Sequence, residues 1–237
     1  MRDKVLHQEE AGFLQGVRDC LPTLLGYLSI GFAAGVVQKA AGLSAAEIAL
    51  MSLILYAGSA QFITTGMIVA GSTTATIILT ILFVNLRHLL LSAALSPYFR
   101  HLGPFRNMLI GSLLTDETFG VAINEAAKRN RLSERWMHGL NLAAYANWFV
   151  ANMAGAFLGH WITDHEKLGL DYALTAMFIG LLVLAMAGRN GRKLDIAIAI
   201  LSGAVAVASA WFISGSLGVI LATIVASTVG MAVEKWK

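Results

Sequence analysis

Apolar residues run along this chain in long blocks broken by short polar stretches, and the block lengths predict its elements. Crossing ~30 Å of hydrocarbon takes ~20 mostly apolar residues in a helix. Eight blocks approach or exceed that length: 20–37, 47–71, 74–97, 108–126, 136–162, 172–188, 194–213 and 216–233. All are expected to be helical, because a lipid-exposed backbone must satisfy its own hydrogen bonds. The segments lack the ~10-residue alternation of a membrane β-barrel. The expected fold is therefore all-α, a polytopic membrane bundle of seven to eight transmembrane helices. Segment 108–126 is the weakest candidate, since it carries Asp116, Glu117 and Glu125. Only Ser214-Gly215-Ser216 separates the last two blocks, which predicts a tight hairpin. No apolar stretch precedes residue 20, so no cleavable signal is expected and residues 4–19 read as a short polar or interfacial segment. Pro22 is expected in the first turn of the first helix.

Lys and Arg positions orient such a bundle, because cytoplasmic loops carry the excess. With the N-terminus inside, the inner segments hold Arg2, Lys4, Arg18, Lys128, Arg129, Arg131, Arg135, Arg189, Arg192, Lys193, Lys235 and Lys237. The outer loops hold Lys39, Arg100, Arg106 and Lys167, and Arg87 lies inside a block. Twelve against four predicts both termini in the cytoplasm.

A shift of 89 positions brings Leu24-Leu25, Gly31, Ala33, Lys39, Leu43-Ser44, Tyr56-Ala57 and Gly66 onto identical residues, ten matches in 43 positions. Three helices per copy would invert the second copy. Inverted repeats are a plan of secondary transporters, with substrate bound near the midplane. The expected organisation is one integral transport domain over 1–237, with halves at about 20–97 and 108–188 and a peripheral hairpin at 194–233.

Composition changes the picture by exclusion. Charged residues make up 13% and hydrophobic residues 57%, with mean hydropathy +0.69. A soluble domain carries ~25% charged residues. One cysteine, Cys20, excludes an internal disulfide and a thiolate cluster. A net charge of +3 is no nucleic-acid signature. No Walker A pattern or nucleophile–base spacing is present, so the chain is not expected to be an enzyme. No cofactor or metal is expected; His160 and His165, beside Asp164 and Glu166, read as solvated surface.

Candidate chemistry gathers at mid-depth. Tyr56, Gly58, Ser59 and Gln61 centre the second block, and Asn85, Arg87 and His88 the third. Asp116 and Glu117 centre the fourth, and Tyr145, Asn147 and Trp148 the fifth. Buried charges cost ~2.5–3.5 kcal/mol each on insertion scales, so this clustering predicts pairing or a wet cavity. Gly58-Ser59 fits either a helix break that offers N–H groups to an anion or close helix packing. Arg87 suits a carboxylate, either substrate or Asp116 or Glu117. The two acids diverge by ~100°, so at most one should face it. His88, Asp116 or Glu117 are candidates for carrying a proton. Asn141, Asn147 and Asn152 are expected at least to bond helices together.

At Tyr56-Ala57-Gly58-Ser59-Ala60-Gln61-Phe62 and Asn85-Leu86-Arg87-His88-Leu89-Leu90-Leu91-Ser92-Ala93 the sequence resembles the AzlC family. Leu114-Thr115-Asp116-Glu117-Thr118-Phe119 and Gly31-Phe32-Ala33-Ala34-Gly35 resemble it too. These are large subunits of bacterial branched-chain amino acid exporters of the YgaZ and BrnF type. The resemblance implies export of valine, leucine, isoleucine or analogues across the bacterial cytoplasmic (inner) membrane, driven by an ion gradient. It also implies a small membrane subunit of the AzlD or YgaH type as partner. It places Gly58, Ser59, Gln61, Asn85, Arg87, His88, Asp116 and Glu117 at family positions without assigning roles. On the residues themselves, substrate is expected to meet Tyr56, Gly58, Ser59, Gln61, Asn85, Arg87, Asp116, Glu117 and Asn147. A channel, or a transporter of another small polar solute or amino acid such as methionine, is the alternative.

Overall fold

The computed structural model describes residues 11–129, 131–161, 172, 176, 179, 182–183, 192–209, 211–212 and 215–235. The chain divides into two compact units, Met1–Leu174 and Thr175–Lys237. All regular elements among the described residues are helical.

Helix α1 spans Phe13–Ala40. It starts before the predicted residue 20, because its first turns pack on a partner helix and are not free interfacial chain. Pro22 lies inside it and not in its first turn. The ring removes one helical donor, which leaves the Arg18 carbonyl without its usual bond. The partner is α7, Glu134–Leu158, capped by Ser133, whose Oγ accepts the Trp136 N–H at 3.4 Å. Gly16 faces the Trp136 carbonyl and Gly139 faces the Phe13 carbonyl. Further along, Gly35 faces the Asn152 carbonyl and Gly155 that of Phe32. A Cβ at any of these four would overlap the facing oxygen. Small residues thus let two backbones touch, as in membrane helix pairs. Residue numbers rise together along the seam, so α1 and α7 run parallel.

Between them the chain folds back twice. Ser44 and Glu47 form a capping box that opens α2, Ala45–Leu50. A π-turn, Met51–Leu55, follows. Tyr56 then sits in the left-handed region at φ 36°, ψ 48°, and Ala57 is extended at φ −145°, ψ 107°. Helix α3, Gly58–Val69, starts there. Ile48 packs with Leu43 and Ala156, beside the end of α1. Leu53 lies deeper, where its carbonyl accepts the Tyr145 hydroxyl at 2.8 Å. Helix α2 therefore descends from the end at which α1 finishes, and α3 returns to it. A four-residue turn joins α3 to α4, Thr74–Leu95, and Ser59 meets Arg87 across that hairpin. Helix α4 ends in a 3-10 turn, Ser96–Phe99, packed with Cys20, Leu132 and Trp136 beside the start of α1.

The second reversal enters from the opposite end. Helix α5, Pro104–Ser112, begins near the start of α7, where Arg106 Nη1 lies 3.3 Å from Glu134 Oε2. The Ile110 carbonyl deeper along it accepts the Asn141 amide at 3.0 Å. After Leu113–Thr115 the chain turns back as α6, Asp116–Ala126.

Segments 47–71 and 108–126, expected as straight spans, are therefore corrected to folded-back pairs, 108–126 taking in only the end of α5. Hydropathy registers a run's length and is blind to a reversal within it. The 89-residue shift is corrected with them, since it lays the broken α5–α6 on continuous α1, and continuous α7 on broken α2–α3. Helices α1–α3 and α4–α6 each place a long helix before a folded-back pair. Arg100 and Arg106, expected opposite Lys128–Arg135, lie at the same end as they do.

Two helices among the described residues, Phe13–Ala40 and Thr74–Phe99, are long and apolar enough to cross a membrane by length and composition. None of the apolar stretch of the second is buried, so Leu82, Phe83, Leu86, Leu89 and Leu90 face outward.

In the second unit α8, Arg192–Ser209, and α9, Gly215–Lys235, pack antiparallel. Gly218 faces Ser209, and Gly230 faces Ile198. The predicted helix at 172–188 lies largely outside the described residues, as do residues 164–166.

Candidate functional site

The two folded-back tips meet at mid-depth, and each starts a helix there. They differ in chemistry. The Ala57 N-cap supplies no side-chain acceptor to α3, and its first turn carries no acid. The first N–H inside the ladder is that of Gln61, bonded to the Ala57 carbonyl at 2.9 Å. The N–H groups of Gly58, Ser59 and Ala60 precede any helical acceptor and carry the positive end of the helix dipole. At α6 that end is answered. Thr115 and Thr118 form a capping box, and Asp116 and Glu117 occupy the first turn.

One guanidinium joins the tips. Arg87 on α4 places Nη1 2.9 Å from Asp116 Oδ2 and donates through Nη2 to Ser59 Oγ at 2.8 Å. A planar fork can hold two partners at once, which an ammonium does less well. Glu117 turns the other way and accepts the Tyr27 hydroxyl at 2.7 Å. The adjacent acids thus take separate partners, as their divergence around a helix requires.

A wall of aromatic and amide groups closes the cluster. The Tyr27 ring meets Trp148 edge-on at 5.1 Å between centroids. Trp148 Nε1 donates to Gln61 Oε1 at 3.2 Å, and Gln38 Nε2 donates to the same oxygen at 3.4 Å. Gln61 Nε2 and Gln38 Oε1 are left buried without a hydrogen-bond partner among the described residues. Such groups are costly in a low-dielectric interior, so they mark a place where a polar ligand or water is favoured. Gly58 lies against the Trp148 ring, where a Cβ would come within 2.9 Å of Cη2. Phe62 packs in the same cluster as Tyr27, Tyr56 and Trp148.

His88 approaches the Leu114 carbonyl through Nδ1 at 3.1 Å. A carbonyl only accepts, so Nδ1 carries hydrogen and Nε2 is left buried and unbonded. Tyr56 meets Tyr145 edge-on at 4.6 Å and keeps a buried, unbonded hydroxyl. Asn85 Oδ1 is likewise unbonded.

Of the expected site residues, Gly58, Ser59, Gln61, Arg87, Asp116 and Glu117 come together. Tyr56 shapes the α3 tip, and His88 sits over the α6 tip. Asn147 donates to the Leu24 carbonyl at 3.1 Å and so bonds α7 to α1. Asn141 and Asn152 donate to the Ile110 and Trp148 carbonyls. Sequence reasoning missed Tyr27, Gln38 and the Thr115 cap. Tyr27 is the one tyrosine in the first apolar block, but Thr23 and Ser29 place hydroxyls there too, so nothing in the sequence set it apart.

These features define a membrane helix bundle, and within its first unit two opposed half-helices meet. The chain belongs to the AzlC family, whose model, described as AzlC protein, matches residues 22–162. That range takes in every residue of the cluster and ends before α8. Inner membrane protein YgaZ of Escherichia coli K12 is 32% identical over 178 residues, 73% of each chain. An uncharacterized membrane protein of Archaeoglobus fulgidus is 30% identical over 222 residues, 91% of this chain and 93% of that one. The branched-chain amino acid transport protein AzlC of Bacillus subtilis is 25% identical over 169 residues, 71% of this chain and 66% of that one. No solved structure matches the chain.

Proposed function

We propose that this chain is the large subunit of a secondary transporter that exports branched-chain amino acids across the bacterial cytoplasmic membrane. The observation that carries the reading is the unlike pair of half-helix N-termini joined by Arg87. The bare start of α3, with its free N–H groups, suits a substrate carboxylate. The acid-bearing start of α6 suits the ammonium, through Glu117 or Asp116. Phe62 and Trp148 offer apolar surface to a branched side chain. A small zwitterion fits this polarity better than a net anion or cation.

Charge placement supports the orientation. Among the described residues of the first unit, the end at which α1 starts carries Arg18, Arg100, Arg106, Lys128, Arg129, Arg131 and Arg135, and the other end carries Lys39. By the loop rule the first end is cytoplasmic. Helix α7 lies parallel along α1 and crosses with it, so α1, α4 and α7 cross while α2–α3 and α5–α6 dip in from opposite faces.

Coupling is to an ion gradient. A proton taken by Asp116 would weaken its hold on Arg87, one taken by Glu117 its hold on Tyr27, and one taken by His88 Nε2 would add a positive charge over the α6 tip. The partner is a small membrane subunit of the AzlD or YgaH type.

The test loads expressing cells with labelled L-valine through a valine dipeptide. Efflux is followed with and without the small subunit. Faster, protonophore-sensitive efflux with both proteins is the expected result. Unchanged efflux, with both proteins verified in the membrane, rejects the valine reading and redirects the assay to methionine and other amino acids.

A further inference from the structure

A recess of about 630 Å³ opens between α1, α6 and the start of α7, away from the Arg87 cluster. Its size falls within the ~300–1,000 Å³ of small-ligand sites. Its lining includes Asp19, Thr23, Val121, Glu125, Arg129 and Trp136. The mouth carries equal numbers of both charges. Trp136 Nε1 donates to Asp19 Oδ2 at 2.8 Å and fixes that carboxylate. Glu125 pairs with Arg129 Nε at 2.6 Å and with Lys128 Nζ, also at the rim, at 3.3 Å.

The recess is aligned with the site above it. On α1, Asp19, Thr23 and Tyr27 recur every four residues and share one face. On α6, Glu125, Val121 and Glu117 do the same in reverse. The two stripes converge where Tyr27 donates to Glu117 at 2.7 Å. Eight helical residues separate Asp19 from Tyr27, a rise of ~12 Å. A polar cavity at one end and an acid of the central cluster at the other are thus joined by two facing stripes.

We propose that this recess is the cytoplasmic vestibule through which a zwitterionic amino acid reaches the central site, with the Tyr27–Glu117 bond as its inner closure. The proposal rests on the transport reading above. An ammonium is drawn to the Asp19 and Glu125 carboxylates, and a carboxylate to Lys128 and Arg129. Balanced charge at the mouth favours a molecule carrying both over one carrying either. Passage inward requires Tyr27 to release Glu117, and the acid is then free to take the ammonium.

The test uses the full chain with its small subunit, in a Cys20→Ser background, with single substitutions Thr23→Cys, Val121→Cys and, as a lipid-facing control, Leu28→Cys. A membrane-impermeant thiol reagent is applied to inside-out and right-side-out vesicles, with and without L-valine. Labelling of Thr23→Cys and Val121→Cys from the cytoplasmic face, at least tenfold faster than Leu28→Cys and slowed severalfold by valine, is expected. Labelling no faster than the control, or only from the outer face, overturns the vestibule. So does fast labelling that valine leaves unchanged in protein whose valine efflux is intact. If valine efflux is absent but another zwitterionic amino acid slows labelling, the vestibule stands and only the valine reading falls.

Discussion

Arg87 holds two tips with two different nitrogens, and that geometry decides how it tolerates change. Hydrogen bonds to charged groups contribute ~1.5–3 kcal/mol each, a factor of ten or more. Arg87→Ala is expected to abolish valine efflux while the protein still reaches the membrane. Arg87→Lys should keep less than about a tenth of the rate, since one ammonium serves Asp116 and Ser59 poorly. Efflux rates normalised to membrane-resident protein check both, and an unimpaired Arg87→Ala removes this residue from the mechanism. Gly58→Ala is a subtler change. Its methyl would meet Trp148 Cη2 at 2.9 Å, so the indole must shift and loosen its bond to Gln61. A severalfold rise in the valine concentration for half-maximal transport is expected, with protein amount unchanged. At this scale the sequence was informative where residue type was unusual for its setting. A lone arginine and an adjacent acid pair in apolar blocks announced themselves. Which acid Arg87 takes followed from where α6 begins. Tyr27 and Gln38 gave no comparable signal, because a tyrosine or glutamine in an apolar helix carries no charge to explain.

Elements are held by backbone proximity more than by side-chain interlock. The α1–α7 seam has glycine at four points where a carbonyl fills the space of a Cβ. Gly35→Leu or Gly155→Leu is expected to force the helices apart and to cut the yield of folded protein sharply. Gly120→Ala is the contrast, since its methyl would meet nothing within 4 Å and Ala favours helix by ~1 kcal/mol. Thermal unfolding of purified protein in detergent separates the two cases. The break before Gly58 was legible as a run of small and polar residues within an apolar block. The reversal that follows was not. It depends on Tyr56 taking φ 36°, a left-handed conformation costing ~1–2 kcal/mol for a side-chain-bearing residue. Packing against Tyr145, whose hydroxyl donates to the Leu53 carbonyl, holds it there, and no local pattern reports such a contact across ~90 positions of sequence.

At the scale of the whole molecule, class was legible and the path of the chain was not. Block length and charge exclusion sufficed for an all-helical membrane bundle. Counting blocks as crossings placed Arg100 and Arg106 at the wrong end. With two folded-back pairs they join the other basic residues, and the loop asymmetry sharpens. The arrangement yields a direct test. Ser72→Cys, in the α3–α4 turn, should react with an impermeant reagent only from outside. His101→Cys, after α4, should react only from the cytoplasm. Straight spans at 47–71 and 108–126 require the reverse at both positions, so one labelling experiment in a Cys20→Ser background decides between them.

The shortness of α3 bears on how the protein is made. Twelve residues rise only ~18 Å, too little to cross the hydrocarbon unaided. Insertion machinery that accepts segments one by one has no reason to retain α2–α3 or α5–α6 at mid-depth. Both must wait for walls to lean on, and the α1–α7 seam is closed only after residue 155 has been synthesised. The centre of the first unit is therefore assembled late, from pieces already threaded part-way into the bilayer. A ribosome stalled before α7 should leave those pieces exposed to quality-control proteases.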